Sequence, residues 1–110
     1  MSREPQRPVE GDDDDGTAMW ELRLFVAGTG LEVDRVVKAL EDVCQAHLPG
    51  RYSIALVDIL QDPEQADAFD IVAAPTLVRE TPPPPLRVIG DLSRAREVVR
   101  GLGMPAVRKG

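Results

Sequence analysis

The chain has 110 residues, which is enough for one domain, and 43% of them are hydrophobic, although only four are aromatic. A net charge of -6 and the lack of aromatic side chains among the arginines argue against nucleic acid as a partner. No apolar run is long enough to cross a bilayer, no secretory signal pattern opens the chain, and the single Cys44 cannot form an internal disulfide, so we expect a cytoplasmic protein.

The charges are unevenly distributed along the chain. Residues 1–18 carry six acids and two bases, and residues 79–110 carry seven bases and three acids. Because a highly charged segment with few apolar side chains cannot bury enough surface to fold, we expect a disordered acidic tail over 1–18. The folded domain is expected over 19–104, followed by a flexible C-terminus over 105–110. Such a dipolar layout favours self-association or a partner of complementary charge.

The first half of the predicted domain is a strand, a helix and a second strand. Trp20–Ala27 has apolar side chains on both faces, as a central strand of an α/β sheet does. Leu31–Leu48 has one apolar stripe at helical spacing, and Tyr52–Leu60 is rich in β-branched residues. This order predicts a right-handed unit in which the two strands are parallel.

Prolines divide the second half. Asp62 and Pro63 predict the start of a short helix, because aspartate caps helices and proline suits the first helical position. Proline has no N–H, so Pro75 must lie where a strand begins, and the four prolines Pro82–Pro85 must turn the chain. The elements predicted here are a helix at Pro63–Asp70, an apolar run at Val72–Val78, a strand at Leu86–Ile89 and a helix at Arg94–Leu102. Gly103 is the candidate residue that ends this last helix.

The predicted order β-α-β-α-β-β-α is that of the thioredoxin fold, in which a cis-proline at the position of Pro75 begins the third strand. A thiol oxidoreductase on this fold needs a reactive cysteine after the first strand, usually as a CxxC motif. Residues 28–32 contain no cysteine, and Cys44 lies about three helical turns further on. We therefore expect a fold without CxxC, and a thiol-disulfide enzyme is the least favoured function. No catalytic constellation is found, and no cofactor or metal is expected; His47 is interpreted as a surface helix residue.

Four motifs in order resemble the KaiB family across Glu21 to Leu102. They are L-R-L-F-V-A-G in the first strand, A-A-P-T-L at Ala73–Leu77, the proline-rich link, and V-I-G-D-L-S at Val88–Ser93. Each motif alone is weak, but together they are specific because their order and spacing are preserved.

The resemblance implies a non-enzymatic binding protein. KaiB proteins of cyanobacterial clocks bind the N-terminal ATPase ring of the hexameric KaiC kinase, sequester KaiA and displace a sensor kinase that carries a KaiB-like domain. The leading hypothesis is therefore a module that docks on a KaiC-type ring in a circadian clock or a related timing or stress circuit. The alternative is an adaptor that acts in trans on a sensor histidine kinase or another signalling protein.

The resemblance also implies where a ring would bind. Basic residues on the first helix and around the third strand face KaiC in the family, and the matching positions here are Arg35, Lys38, Arg79 and Arg87. Gln61 and Asp70 stand where cyanobacterial members have lysines. Because these changes remove positive charge, we expect weaker steering toward an acidic ring surface than in those members.

The family is metamorphic, and the resemblance implies a second arrangement of the C-terminal half. Its ground state, often tetrameric, re-pairs the chain after about Leu60, and its binding state is a thioredoxin-like monomer. Two packings of one sequence need differ by only a few kcal/mol. Pro75, Gly90 and Asp91 are the predicted switch and structural positions, and a dimer or tetramer is a possible homo-oligomer.

Overall fold

The elements follow the predicted order. A computed structural model describes residues 18–90 and 92–107. Its strands are β1 (Trp20–Val26), β2 (Tyr52–Asp58), β3 (Thr76–Thr81) and β4 (Leu86–Ile89), and its helices are α1 (Leu31–His47), α2 (Pro63–Ala68) and α3 (Ala95–Leu102). This is a thioredoxin-like fold, so the predicted fold class is confirmed.

One four-stranded sheet carries the domain, in the order β2-β1-β3-β4. β1 runs parallel to β2 and antiparallel to β3, and β4 returns antiparallel to β3. Leu24 lies opposite Leu56 on one side and Leu77 on the other, so β1 is enclosed by neighbours. The apolar character of both faces of β1 predicted this central position.

The two faces of the sheet are covered unequally. The larger core joins one face to α1 and α3, and its fully buried members include Trp20, Leu24, Cys44, Leu48, Leu77, Val98 and Leu102. On the opposite face, Phe25, Val57 and Val78 pack with the half-buried Phe69, which follows the short α2. The second face therefore has a thin cover and exposes more of its strands.

The strand after Pro75 begins where the sequence predicted, and the first part of the apolar run lies before it. β3 begins at Thr76 and extends to Thr81, whereas Val72 is 89% exposed. The Ala74–Pro75 bond is cis, as the sequence predicted. Pro75 cannot donate to a strand ladder, so pairing begins only after it.

The start of α2 and the end of α3 lie where the sequence predicted. Asp62 accepts a hydrogen bond from the backbone N–H of Gln65, which begins α2. Gly103 takes the left-handed conformation that ends α3, with φ of 67°. Residues 1–17 and 108–110 lie outside the described part, so the predictions of an acidic tail and a flexible C-terminus remain predictions. Among the helices that the structure describes, none is both long and apolar enough to cross a membrane.

Candidate functional site

A pocket opens at the end of the sheet where the central strands β1 and β3 end and begin, respectively. Its volume is about 230 Å³, and its lining residues are Val26, Ala27, Glu32, Val33, Val36, Ala74 and Pro75. Asp58 holds the adjoining loop, since its Oδ1 accepts from the backbone N–H of Gly28 at 2.8 Å and of Leu60 at 2.9 Å. In a redox enzyme of this fold the cysteines would lie here; this pocket offers an apolar lining and one carboxylate.

Cys44 does not line this pocket. Its side chain is fully buried in the larger core. Burial, and to a lesser degree the nearby Glu41 carboxylate, raises the pKa of the thiol to about 12. A thiolate is the nucleophilic form of cysteine, so the buried, protonated Cys44 serves core packing and not thiol chemistry.

Alkylation of Cys44 should therefore be slow in the folded protein. At pH 8, a pKa of about 12 leaves about one thiol in ten thousand ionised, and burial blocks access, so we expect labelling by iodoacetamide at least ~100-fold slower than in urea. Mass spectrometry measures the rate, and Thr29→Cys, in the exposed loop after β1, is the fast-reacting control.

The same burial makes stability depend on pH. Because the folded chain retains the thiol proton more tightly than the unfolded chain, stability should fall as the pH rises from about 9 toward 12. Fast labelling in the folded state, or a disulfide reductase activity lost in Cys44→Ser, would contradict this account.

Two of the four predicted partner-binding residues lie together on α1. Arg35 and Lys38 are exposed and three positions apart, which places them on one side of the helix. Lys38 Nζ lies 3.4 Å from Asp42 Oδ1 in an exposed pair that costs little to open. Leu31, 72% exposed and four residues before Arg35, extends the same stripe with an apolar side chain. The α1 stripe, defined as Leu31, Arg35 and Lys38, combines positive charge with apolar surface.

Arg87 lies on the other face of the sheet. It is opposite Val78 in the ladder, and its guanidinium donates to the backbone oxygens of Phe69 at 2.8 Å and Asp70 at 3.3 Å. Arg87 is exposed, yet its donors hold the segment after α2 against β4. It therefore does not join the α1 stripe.

Arg79 corrects the sequence-based expectation of a surface arginine. Only 7% of the residue is exposed. Its Nη1 donates to Leu102 O at 2.8 Å, its Nη2 donates to Pro84 O at 2.7 Å, and its guanidinium lies 5.1 Å from the centre of the Trp20 ring. Burial lowers the pKa of the guanidinium below its ordinary value. Arg79 joins the proline link and α3 to the sheet from inside.

The predicted switch positions are only partly described. Pro75 lines the pocket, and its carbonyl oxygen lies 3.4 Å from the backbone nitrogen of Gly90, which donates to it. Gly90 has φ of 114°, a conformation that glycine adopts most readily. Asp91 lies outside the described residues, so its predicted role stays a prediction.

The sequence did not predict two exposed apolar side chains, Leu60 and Val72. Leu60 is 70% exposed, because β2 ends at Asp58, two residues before the predicted end of that strand. Val72 is 89% exposed and precedes Pro75, where the third strand was predicted to begin. The two apolar runs contain more apolar residues than β2 and β3 can bury. This excess becomes visible only when the bounds of the two strands are known.

Comparison with known proteins adds the decisive observation. The family model described as KaiB domain matches residues 23–104, which is most of the chain. The chain belongs to the KaiB family. It is 40% identical over 83 residues to the circadian clock oscillator protein KaiB of Prochlorococcus marinus (strain MIT 9313), covering 76% of this chain and 70% of that protein. It is 33% identical over 81 residues to the circadian clock protein KaiB3 of Synechocystis, covering 74% and 79%.

Solved structures agree on the fold of this KaiB family member. The N-terminal domain of Synechococcus elongatus SasA superposes with a TM-score of 0.58 at 22% identity, covering 91% of this chain and 90% of that one. Mitochondrial thioredoxin 3 from Saccharomyces cerevisiae superposes with a TM-score of 0.61 at 17% identity, covering 78% of each. As a member of the KaiB family, the chain is not an enzyme.

Proposed function

We propose that the chain is a binding module that docks on the hexameric ring of a KaiC-type ATPase in the cytoplasm, within a circadian clock or a related timing or stress circuit. Membership of the KaiB family carries this proposal, because the matched relatives are circadian clock proteins. The thioredoxin-like arrangement of the C-terminal half supports it, since that is the arrangement the family resemblance assigns to the ring-bound state.

The α1 stripe is the surface that we assign to the ring. Arg35 and Lys38 are exposed neighbours on the surface of α1, and Leu31 adds apolar area that binding would bury. Oppositely charged surfaces speed association and fix the register of a complex. An acidic patch on the ring would meet this stripe, and Arg79 is left out because it is buried.

Size-exclusion chromatography with a purified KaiC-type hexamer, incubated for hours before loading, tests the proposal. Co-elution with the ring is expected. Arg35→Glu with Lys38→Glu should weaken binding about tenfold, because like charges would meet the acidic surface. Arg35→Lys with Lys38→Arg, which keeps both charges, is the matched control and should bind nearly as the native chain does.

The alternative partner, a sensor histidine kinase, predicts a different result in a capture experiment. Capture from the native host should recover a hexameric ATPase; recovery of a sensor histidine kinase without the ring would instead favour the adaptor function. The elution volume of the chain alone reports whether it forms a dimer or tetramer. A ring that elutes apart from the chain at all incubation times would overturn the docking proposal.

Substitution at Gly90 tests the proposed second arrangement. Gly90→Ala forces an L-residue into φ of 114° and should destabilise the described C-terminal half by about 1–2 kcal/mol. The amide signals of β4 and α3 should shift or double in two-dimensional NMR spectra. Gly30→Ala is the matched control, because Gly30 also has positive φ and open space around its Cα, but lies before α1. Native-like spectra for Gly90→Ala would contradict the proposal that Gly90 controls the balance between the two arrangements of the C-terminal half.

A further inference from the structure

β4 forms an open edge of the sheet. Within the described residues its strand neighbour is β3 alone, because the order of strands is β2-β1-β3-β4. Gly90 donates its backbone N–H to Pro75 O, and hydrogen-bonded pairs alternate along an antiparallel ladder. Val88 therefore turns its backbone N–H and C=O toward β3, while Arg87 and Ile89 turn theirs outward. Such a row of outward groups is a template on which another strand can pair.

The charged side chain of β4 is turned away from this edge. Charged side chains commonly protect edge strands from pairing. Here the Arg87 guanidinium donates to Phe69 O at 2.8 Å and to Asp70 O at 3.3 Å. The Phe69 ring lies 5.3 Å from the ring of Phe25 in the central strand β1, so the Arg87 charge is drawn inward over the sheet. Ile89, which is 53% exposed, gives the edge an apolar side chain instead.

A groove beside this edge leaves room for a partner strand. Its volume is about 430 Å³, and its lining residues are Val88, Ile89, Arg94 and Glu97. One base and one acid give these residues no net charge, so the groove favours neither a strongly acidic nor a strongly basic partner. A second copy of the chain brings the same apolar side chains and the same two charges. Twofold symmetry therefore makes the surface complementary to itself in both respects.

The backbone of β4 is also self-complementary in one register. When two β4 strands run antiparallel around Val88, Arg87 of each copy lies opposite Ile89 of the other. Each of these two pairs exchanges two backbone hydrogen bonds, which gives four in total. The two Val88 side chains meet in the closer pair between them, where β-branched side chains pack well. A register centred on Arg87 or on Ile89 would give half as many hydrogen bonds between the two strands.

We propose that the open edge of β4 is an interaction surface, and that a second copy of the chain occupies it with the two β4 strands antiparallel around Val88. The two sheets then form one continuous sheet. Strands of four residues bury less area than a standard interface, so we expect a weak dimer with a Kd of about 0.1 mM. The family resemblance assigns a monomer to this arrangement, so the pairing goes beyond it. It does not depend on docking of the α1 stripe to a ring.

Sedimentation equilibrium over concentrations of about 0.01–1 mM tests the pairing. Ile89→Lys should raise the Kd of the dimer at least about tenfold, because it puts a second cation beside Arg87 of the other copy. Leu56→Lys is the matched control, since Leu56 is also 53% exposed and lies in β2, the other edge strand. This control should leave the Kd unchanged. Equal weakening by both variants would mean general charge repulsion or pairing of β4 with β2, and would overturn the proposal.

The register has its own measurement. In an equimolar mixture of isotope-labelled and unlabelled chain, the Hα atoms of the two Val88 residues should give an intermolecular NOE, because their Cα atoms would lie about 4.5 Å apart. A dimer without this NOE would show that another surface or register is used, and would overturn the proposal.

Two further results would overturn it and leave ring docking untouched. One is a chain that stays monomeric at about 1 mM. The other is a shift of the β4 amide signals that requires a KaiC-type hexamer, which would assign the edge to the ring. Ile89→Lys leaves the α1 stripe intact, so this variant should co-elute with the ring as the native chain does. Loss of the dimer with retained co-elution therefore separates the two proposals.

Discussion

Replacing Arg79 with methionine should lower the free energy of unfolding by about 3 kcal/mol, because two backbone oxygens lose a charged donor and the Trp20 ring loses its cation. Leu102 O lies at the carboxyl end of α3, where positive charge is favourable. Methionine fills part of the volume but donates no hydrogen bond. Urea denaturation followed by circular dichroism measures the change.

Two comparisons isolate the guanidinium. Arg79→Lys keeps the charge but not the planar fork that reaches both Pro84 and Leu102, so it should still cost about 2 kcal/mol. Arg87→Met, at an exposed arginine that also donates to backbone oxygens, should cost no more than about 1 kcal/mol. A loss at Arg79 no larger than at Arg87 would show that burial adds nothing to these hydrogen bonds.

Gly101→Ala should destabilise the protein by up to about 2 kcal/mol, although alanine is the better helix former. A Cβ at this position would clash with Val88 Cγ2, so α3 and β4 would have to move apart. Overpacking of this kind costs about 1–3 kcal/mol, whereas the gain in helix propensity is about 1 kcal/mol. The valine side chain is stiff at χ1 and cannot swing away freely.

A double-mutant cycle tests whether that contact is responsible. In the background of Val88→Ala the clash is absent, so Gly101→Ala should there raise the free energy of unfolding by up to about 1 kcal/mol. The change of sign is the diagnostic result. If Gly101→Ala stabilises the native chain, α3 does not approach β4 as closely as described.

The Gly101 substitution also bears on the proposed second arrangement. The clash with Val88 destabilises only an arrangement in which α3 packs on β4. An arrangement with a re-paired C-terminal half would not contain this clash. Gly101→Ala should therefore increase the population of any such arrangement, and a second set of amide signals from the C-terminal half would report it.

The sequence predicted the elements well because their signals are local. Spacing of apolar residues predicted α1, a capping aspartate followed by proline predicted the start of α2, and Gly103 predicted the end of α3. The position of Pro75 at the start of a strand followed from its missing N–H. The family resemblance, carried by ordered motifs, was confirmed by the match over residues 23–104.

The predicted partner-binding set was harder, because exposure depends on register. Arg79 lies opposite Leu22 of β1, so it faces the larger core, whereas its neighbour in the ladder pattern, Val78, faces the smaller one. A shift of one residue would exchange these faces. Neither the charge of Arg79 nor its position along the chain indicates which face of the sheet it takes. Arg35 and Lys38 alone remain together on one surface.

The amino-acid sequence by itself therefore determined the order of strands and helices, the family, and the absence of a cysteine from the loop after β1. Those features depend on residues near one another in the chain. Only the tertiary structure decided that Arg79 is buried between the proline link and α3, that Gly101 is where α3 meets β4, and that α3 ends close to the start of β1. These depend on register and helix packing, which bring together residues that are distant in sequence.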